Sequence, residues 1–220
     1  MMKKKRVIGA LAAISIVVLI GGFAMMKKTV KQECFDLTEV SSITLRGDAA
    51  DVKITLTDED KMTVTQYAKK KVPEDFGFTA DTDGSALAIA DNGKEVNWLF
   101  GMKGTAGISY ELKIPKAYEE NICIQIGTGN VEYAGENSHK LKTLEVEVAK
   151  HGDVKLSSLG LLENSNVFTG GGNVDVSVAS DADLMVTGES LSGNVTIAGE
   201  FKSGKPTLTI KSNQGNITVK

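Results

Sequence analysis

Gly129-Asn130-Val131-Glu132-Tyr133 is the stretch on which the reading of this chain turns, because its pattern returns four more times. It recurs as Gly152-Asp153-Val154-Lys155-Leu156, Gly172-Asn173-Val174-Asp175-Val176, Gly193-Asn194-Val195-Thr196-Ile197 and Gly215-Asn216-Ile217-Thr218-Val219. Successive glycines lie 23, 20, 21 and 22 residues apart. After each turn, apolar and polar residues alternate, the period-two mark of a strand with one buried face. A second alternating segment precedes the turns: Leu144, Val146 and Val148 around Glu145 and Glu147, then Leu184 with Val186, then Leu208 with Ile210. No sustained helical period runs through residues 120–220. Self-similarity at so short and even a period predicts a stacked array.

A two-strand unit of about 21 residues cannot bury its apolar face alone. Stacking such units in register, about 4.8 Å apart, pairs every strand backbone and merges the apolar faces into one column. Glycine suits a turn position of positive φ, and Asn or Asp tolerates that region while bonding nearby backbone. Stacked turns would set Asn130, Asp153, Asn173, Asn194 and Asn216 in a ladder with shared hydrogen bonds. We read that ladder as turn chemistry in preference to a ligand or ion row.

The first half carries the pattern less regularly. Ile43, Leu45, Val52, Ile54 and Leu56 look like an irregular first rung around Asp48 and Asp51, and Met62, Val64 and Gln66 continue as a strand. Leu87 and Ile89 follow Gly84, and Ile108, Tyr110, Leu112 and Ile114 alternate up to Pro115, which cannot donate to a ladder. Residues 38–115 therefore read as early rungs with a longer insertion. Residues 38–220 have room for about eight rungs, a body about 35–40 Å long. The expected fold is all-β: a single-domain β-solenoid of stacked short strands after one N-terminal transmembrane helix.

That helix is expected over Val7–Met26, a run of 20 residues without charge. At about 1.5 Å per residue it covers about 30 Å, the hydrocarbon thickness of a bilayer. Lys3, Lys4, Lys5 and Arg6 precede it, which by the positive-inside rule keeps residues 1–6 cytoplasmic and exports the rest. Lys27, Lys28 and Lys31 on the far side oppose this assignment. The alternative is a cleaved signal peptide, with Val7–Ile20 as its apolar region and Gly22-Phe23-Ala24 as a small-residue site, which would secrete the body. The expected order is a basic tail (1–6), a membrane anchor (7–26), a juxtamembrane linker (27–37) and an extracytoplasmic domain (38–220). Localisation is then the cell membrane, single-pass.

Charge excludes one class of partner. Residues 1–31 hold seven cations and no acid, leaving 18 cations against 28 acids in residues 32–220, a formal −10. Nucleic-acid binding needs a basic footprint and is set aside. Many glycines (23) with few prolines (3) fit frequent tight turns between short strands. Cys34 and Cys123 lack metal-type spacing; they could pair in an oxidising compartment, but a juxtamembrane thiol and a small strand residue are the plainer reading.

The catalytic patterns fail on geometry. Gly188-Glu189-Ser190-Leu191-Ser192-Gly193 misses a nucleophile elbow by one residue. Gly170-Gly171-Gly172 precedes a strand, not a helix whose dipole could hold phosphate. His139 and His151 stand twelve apart, and His151 occupies the turn position before the repeat glycine. One imperfect Gly-Gly-Asn-Val-Asp copy is not a calcium-binding repeat. The outward acids Glu132, Glu145, Glu147 and Asp175 fall on different rungs, though a pair 5–10 Å apart, as carbohydrate cleavage needs, stays open. The expectation is no catalytic residue, no cofactor and no metal.

The irregular stretch 96–104 holds the only tryptophan. Trp98, Leu99, Phe100 and Met102 form a candidate loop for docking a partner or the bilayer surface, or else a cap over an open end of the stack.

Ile43-Thr44-Leu45, Asp51-Val52-Lys53-Ile54, Leu112-Lys113-Ile114-Pro115 and the Gly-Asn/Asp-Val units together resemble the bacterial putative-adhesin domain family, over residues 38–220. The resemblance implies a β-solenoid of largely unassigned function, often membrane-anchored and linked to cell-envelope stress systems of Gram-positive bacteria. It carries no functional residues across. The expected role is a binding or scaffolding module for an envelope protein or cell-wall polymer. A cell-wall polysaccharide enzyme and a self-assembling structural solenoid are the alternatives.

Overall fold

The computed structural model describes residues 27–91, 97–98, 102–103, 107–199 and 206–220. The apolar run 7–26 lies outside them. Among the described residues there is no helix at all, hence none long and apolar enough to cross a membrane.

The elements are strands. In chain order they are β1 (Lys28–Phe35), β2 (Ser42–Thr57), β3 (Met62–Ala68), β4 (Phe78–Asp83), β5 (Ala86–Asp91), β6 (Asn97–Trp98), β7 (Met102–Lys103), β8 (Ile108–Pro115) and β9 (Asn121–Thr128). The repeats follow as β10 (Val131–Ala134), β11 (Thr143–His151), β12 (Val154–Leu159), β13 (Ser165–Thr169), β14 (Val174–Val178), β15 (Met185–Ser190), β16 (Val195–Ile197), β17 (Thr207–Ser212) and β18 (Ile217–Val219). All but the β6–β7 hairpin join one sheet that folds back on itself as a nearly closed parallel solenoid. Each repeat contributes one strand to each wall, with the glycine turn at the corner between them.

The registers show why alternation decides the fold. Leu112, Ile54, Tyr133, Leu156, Val176, Val219 and Ile197 stand level on successive strands of one wall. Leu87, Ile43, Ile122, Leu144, Ser165, Leu208 and Val186 do so on the other. Ser165, the polar member, is buried but satisfied: its Oγ accepts the Leu144 N–H at 3.0 Å and lies 3.3 Å from the Glu163 carbonyl. Facing columns share one dry interior, each apolar side chain contributing about 1.5–3 kcal/mol on burial.

The rungs are not stacked in chain order, which corrects the expectation of a first rung at residues 43–56. β2 is not the first rung; it spans both walls and pairs with β5 and β8 on one side and with β9 and β10 on the other. At the opposite end, β17 and β18 insert between β13–β14 and β15–β16. The ordering follows burial. An inner rung is covered on both sides, and β17–β18 presents Leu208, Ile210, Ile217 and Val219, all buried. The outermost rung has Gly188 level with Ile210, so it forfeits less by lying at the edge.

At the N-terminal end the stack closes with antiparallel strands, β4 on β5 and β1–β3–β8. Residues 28–35, which the sequence reading placed in a linker, form β1, held to β3 from Lys28↔Ala68 to Phe35↔Met62.

Candidate functional site

The repeat turns form a ladder of side chain to backbone bonds. The Asp51 carboxylate accepts the Asn130 N–H at 3.0 Å, Asn130 Oδ1 the Asp153 N–H at 2.9 Å, and Asp153 Oδ1 the Asn173 N–H at 2.7 Å. Asn173 Oδ1 then accepts the Asn216 N–H at 2.9 Å, and Asn216 Oδ1 the Asn194 N–H at 2.9 Å. The expected residues are therefore in one row, with Asn216 before Asn194. All but Asn194 have an acceptor already used within the fold, which agrees with turn chemistry. Asn173→Ala should lower stability by about 1 kcal/mol, while Asn194→Ala, whose side chain serves no further rung, should cost near zero. Urea unfolding of the two variants checks this; equal costs would mean the ladder bonds contribute nothing.

Beside the ladder, the outward row of the same wall reads Glu111, Lys53, Glu132, Lys155, Asp175 across consecutive strands. Opposite charges directly across a sheet each contribute about 0.2–1 kcal/mol. Glu132 and Asp175 are thus separated by Lys155. Glu145 and Glu147 point outward from the other wall, where Glu145 accepts from Asn166 Nδ2 at 3.1 Å. Among the described residues no group of His, Cys, Asp and Glu could hold a metal ion. His151 is exposed at its turn, whereas His139 is buried, its Nε2 on the Tyr118 carbonyl at 2.9 Å and its Nδ1 on the Tyr133 hydroxyl at 3.1 Å. Cys34 and Cys123 are both free. Burial, then Glu145, raises the Cys123 thiol above its ordinary pKa.

Three features cluster near the closed end. The first is buried and polar: Gln66 Nε2 donates to the Tyr110 hydroxyl at 2.7 Å, and that hydroxyl donates to the Asp91 carboxylate. Burial raises the Asp91 carboxyl above the usual carboxylate range against the Tyr110 bond that lowers it. The second is a cleft of about 440 Å³ on the ladder wall, between Lys27, Asp51, Lys53, Tyr67, Glu111 and Glu132. Tyr67 Oη donates to Glu111 at 2.9 Å across it, and the buried Ser109 hydroxyl at its floor has no partner among the described residues.

The third is a groove of about 500 Å³ where β1 meets the segment after β3. Lys28, Lys69, Lys70 and Lys71 line it with Val30, Val72 and Phe76, and Glu74 is its one acid. The run Lys69-Lys70-Lys71 was visible in the sequence, but its union with Lys28 depends on the β1–β3 pairing. Lys69 N–H also donates to the Gly107 carbonyl at 3.2 Å, so Gly107 lies beside this groove. Of the candidate loop, Leu99 and Phe100 lie outside the described residues; Trp98 pairs with Met102 in the β6–β7 hairpin, and the side chains of both are likewise outside what is described.

The family model Toastrack DUF4097 matches residues 40–161, more than half of the chain. The crystal structure of a putative cell adhesion protein from Clostridium sporogenes aligns over 87% of this chain and 99% of its own, at a TM-score of 0.65 and 18% identity. That likeness concerns the fold alone. A putative adhesin from Bacteroides fragilis aligns over 90% of this chain and 100% of its own, at 9% identity and a TM-score of 0.34 too low to bear on the fold. No curated protein matches the chain.

Proposed function

The chain belongs to the Toastrack DUF4097 family, a domain family of unknown function, and from that premise we propose a membrane-anchored, extracytoplasmic β-solenoid that binds or scaffolds envelope partners and does not catalyse. The observation that carries this reading is the start of the folded body. β1 begins at Lys28, with one residue, Lys27, between it and the end of the apolar run at Met26, and is fastened along its length to β3. A stiff parallel stack so mounted presents both outer walls to whatever lies outside the membrane. The structural neighbour from Clostridium sporogenes, described as a putative cell adhesion protein, is consistent with surface binding. The stretch of Trp98, Leu99, Phe100 and Met102 is the candidate contact, with an envelope protein or cell-wall polymer as partner.

A membrane-impermeant cross-linker applied to intact cells tests this. Wild type should capture a partner, and Trp98→Ala and Phe100→Ala should lose most of it. Equal recovery by all three would remove this stretch from the proposal, and a body unreachable from outside would remove the localisation.

One observation favours a second reading, self-assembly through the end of the stack. The C-terminal strand β18 is not the open edge, being enclosed between β14 and β16. The outer strand is β16, where Val195 and Ile197, in core register, are 41% and 38% exposed, beside Leu191 at 73%. Its rung carries Glu189 as its only charge and no proline between Met185 and Gly199, so it lacks the usual guards of a sheet edge. A second copy would continue both apolar columns. Light scattering should then show a concentration-dependent dimer that Val195→Lys abolishes; a strict monomer in wild type would dismiss this reading.

A further inference from the structure

We propose that the groove of Lys28, Lys69, Lys70 and Lys71 is the surface through which the body rests on anionic phospholipid headgroups at the membrane. The inference rests on the anchored reading above. Residues 32–220 carry a formal −10, so four cations to one acid around a single groove reverse the character of the rest of the molecule. All four lysines are exposed, and among the described residues Lys28, Lys69 and Lys71 make no ion pair. Lys31, by contrast, is occupied by Glu33 at 2.9 Å, the Phe78 carbonyl at 2.7 Å and the Phe78 ring.

Position supplies the second argument. One residue, Lys27, separates the apolar run from β1. A chain leaving the bilayer at Met26 therefore reaches the groove at once, with no linker to hold the body away from the surface. The half-buried Val30, Val72 and Phe76 between the lysines suit a boundary where aliphatic stems lie on apolar surface and ammonium groups reach phosphate. Basic segments next to a spanning segment are drawn to anionic leaflets over a distance set by salt.

The test uses the full chain reconstituted into nanodiscs of phosphatidylcholine, with or without phosphatidylglycerol, and follows acetylation of each lysine by mass spectrometry. Lys28, Lys69 and Lys71 should react about fivefold more slowly in the anionic discs. The difference should vanish at high salt, and Lys155 on the far wall should react equally in both. In a Lys69→Gln/Lys71→Gln variant, Lys28 should lose its protection. Equal rates in the two discs, in a chain that alkaline carbonate does not strip from membranes, would overturn the inference and leave the anchor standing. Slowing by inorganic phosphate in phosphatidylcholine discs would also overturn it, because the site would then be for a free anion. A chain that carbonate does strip removes the anchored reading and this inference together.

Discussion

Gly152→Ala is expected to destabilise the solenoid by more than about 4 kcal/mol, enough to abolish cooperative unfolding in a body of ordinary stability. A Cβ at this position would stand 1.8 Å from the Gly129 carbonyl oxygen of the rung below. Backbone, unlike the tip of a flexible side chain, cannot swing aside. Gly129 N–H already donates to the His151 carbonyl at 2.9 Å, and Gly152 N–H to the Gly171 carbonyl at 2.8 Å, so retreat breaks bonds to the neighbouring rung. The constraint repeats along the corner: a Cβ on Gly129 would meet the Ala50 carbonyl at 2.1 Å, on Gly172 that of Gly152 at 2.2 Å, and on Gly215 that of Gly172 at 2.0 Å. Gly84→Ala is the control. Gly84 has φ +60° but nothing within 4 Å, so only the left-handed backbone is penalised, at about 1–2 kcal/mol. Circular dichroism with urea separates the two. A Gly152→Ala protein as stable as Gly84→Ala would falsify the close stacking of the corners.

The second large effect is expected at Tyr133, one of the largest fully buried side chains. It lies level with Ile54 and Leu156, and its hydroxyl meets His139 at 3.1 Å. Tyr133→Ala opens a cavity mid-stack and should cost about 3–5 kcal/mol. Tyr133→Phe keeps the ring and loses the bond, leaving buried His139 Nδ1 without it, for about 1–3 kcal/mol. Urea midpoints for both should fall in that order. Equal losses would assign the stability of this corner to the His139 bond and not to packing.

Several parts of the candidate site lay beyond the sequence. Asp91, Gln66 and Tyr110 are remote in the chain, and nothing local marks them as partners; the pairing of β3 with β8, and of β5 with β2, brings them together. The basic groove was concealed by averaging, because residues 32–220, of formal −10, hide Lys69, Lys70 and Lys71, which only the β1–β3 register joins to Lys28.

The repeat glycines show a reason misread from the correct residue. Positive φ holds at Gly129, Gly172 and Gly215, but not at Gly152 or Gly193, where the passing carbonyl alone forbids a side chain. A single chain segment carries the information for a turn, but the crowding comes from the next rung.

By itself the sequence determined the unit: a glycine corner, an amide or acid that bonds backbone, and alternating residues that must face one interior. Those are local demands of sterics and burial, satisfied within about 21 residues. Only the tertiary structure decided which unit lies on which. Every rung offers the same apolar-any-apolar face to either neighbour, so the pattern is degenerate for order. Long-range burial resolved it, placing β2 in the interior of the stack and the richer β17–β18 rung inside the poorer β15–β16.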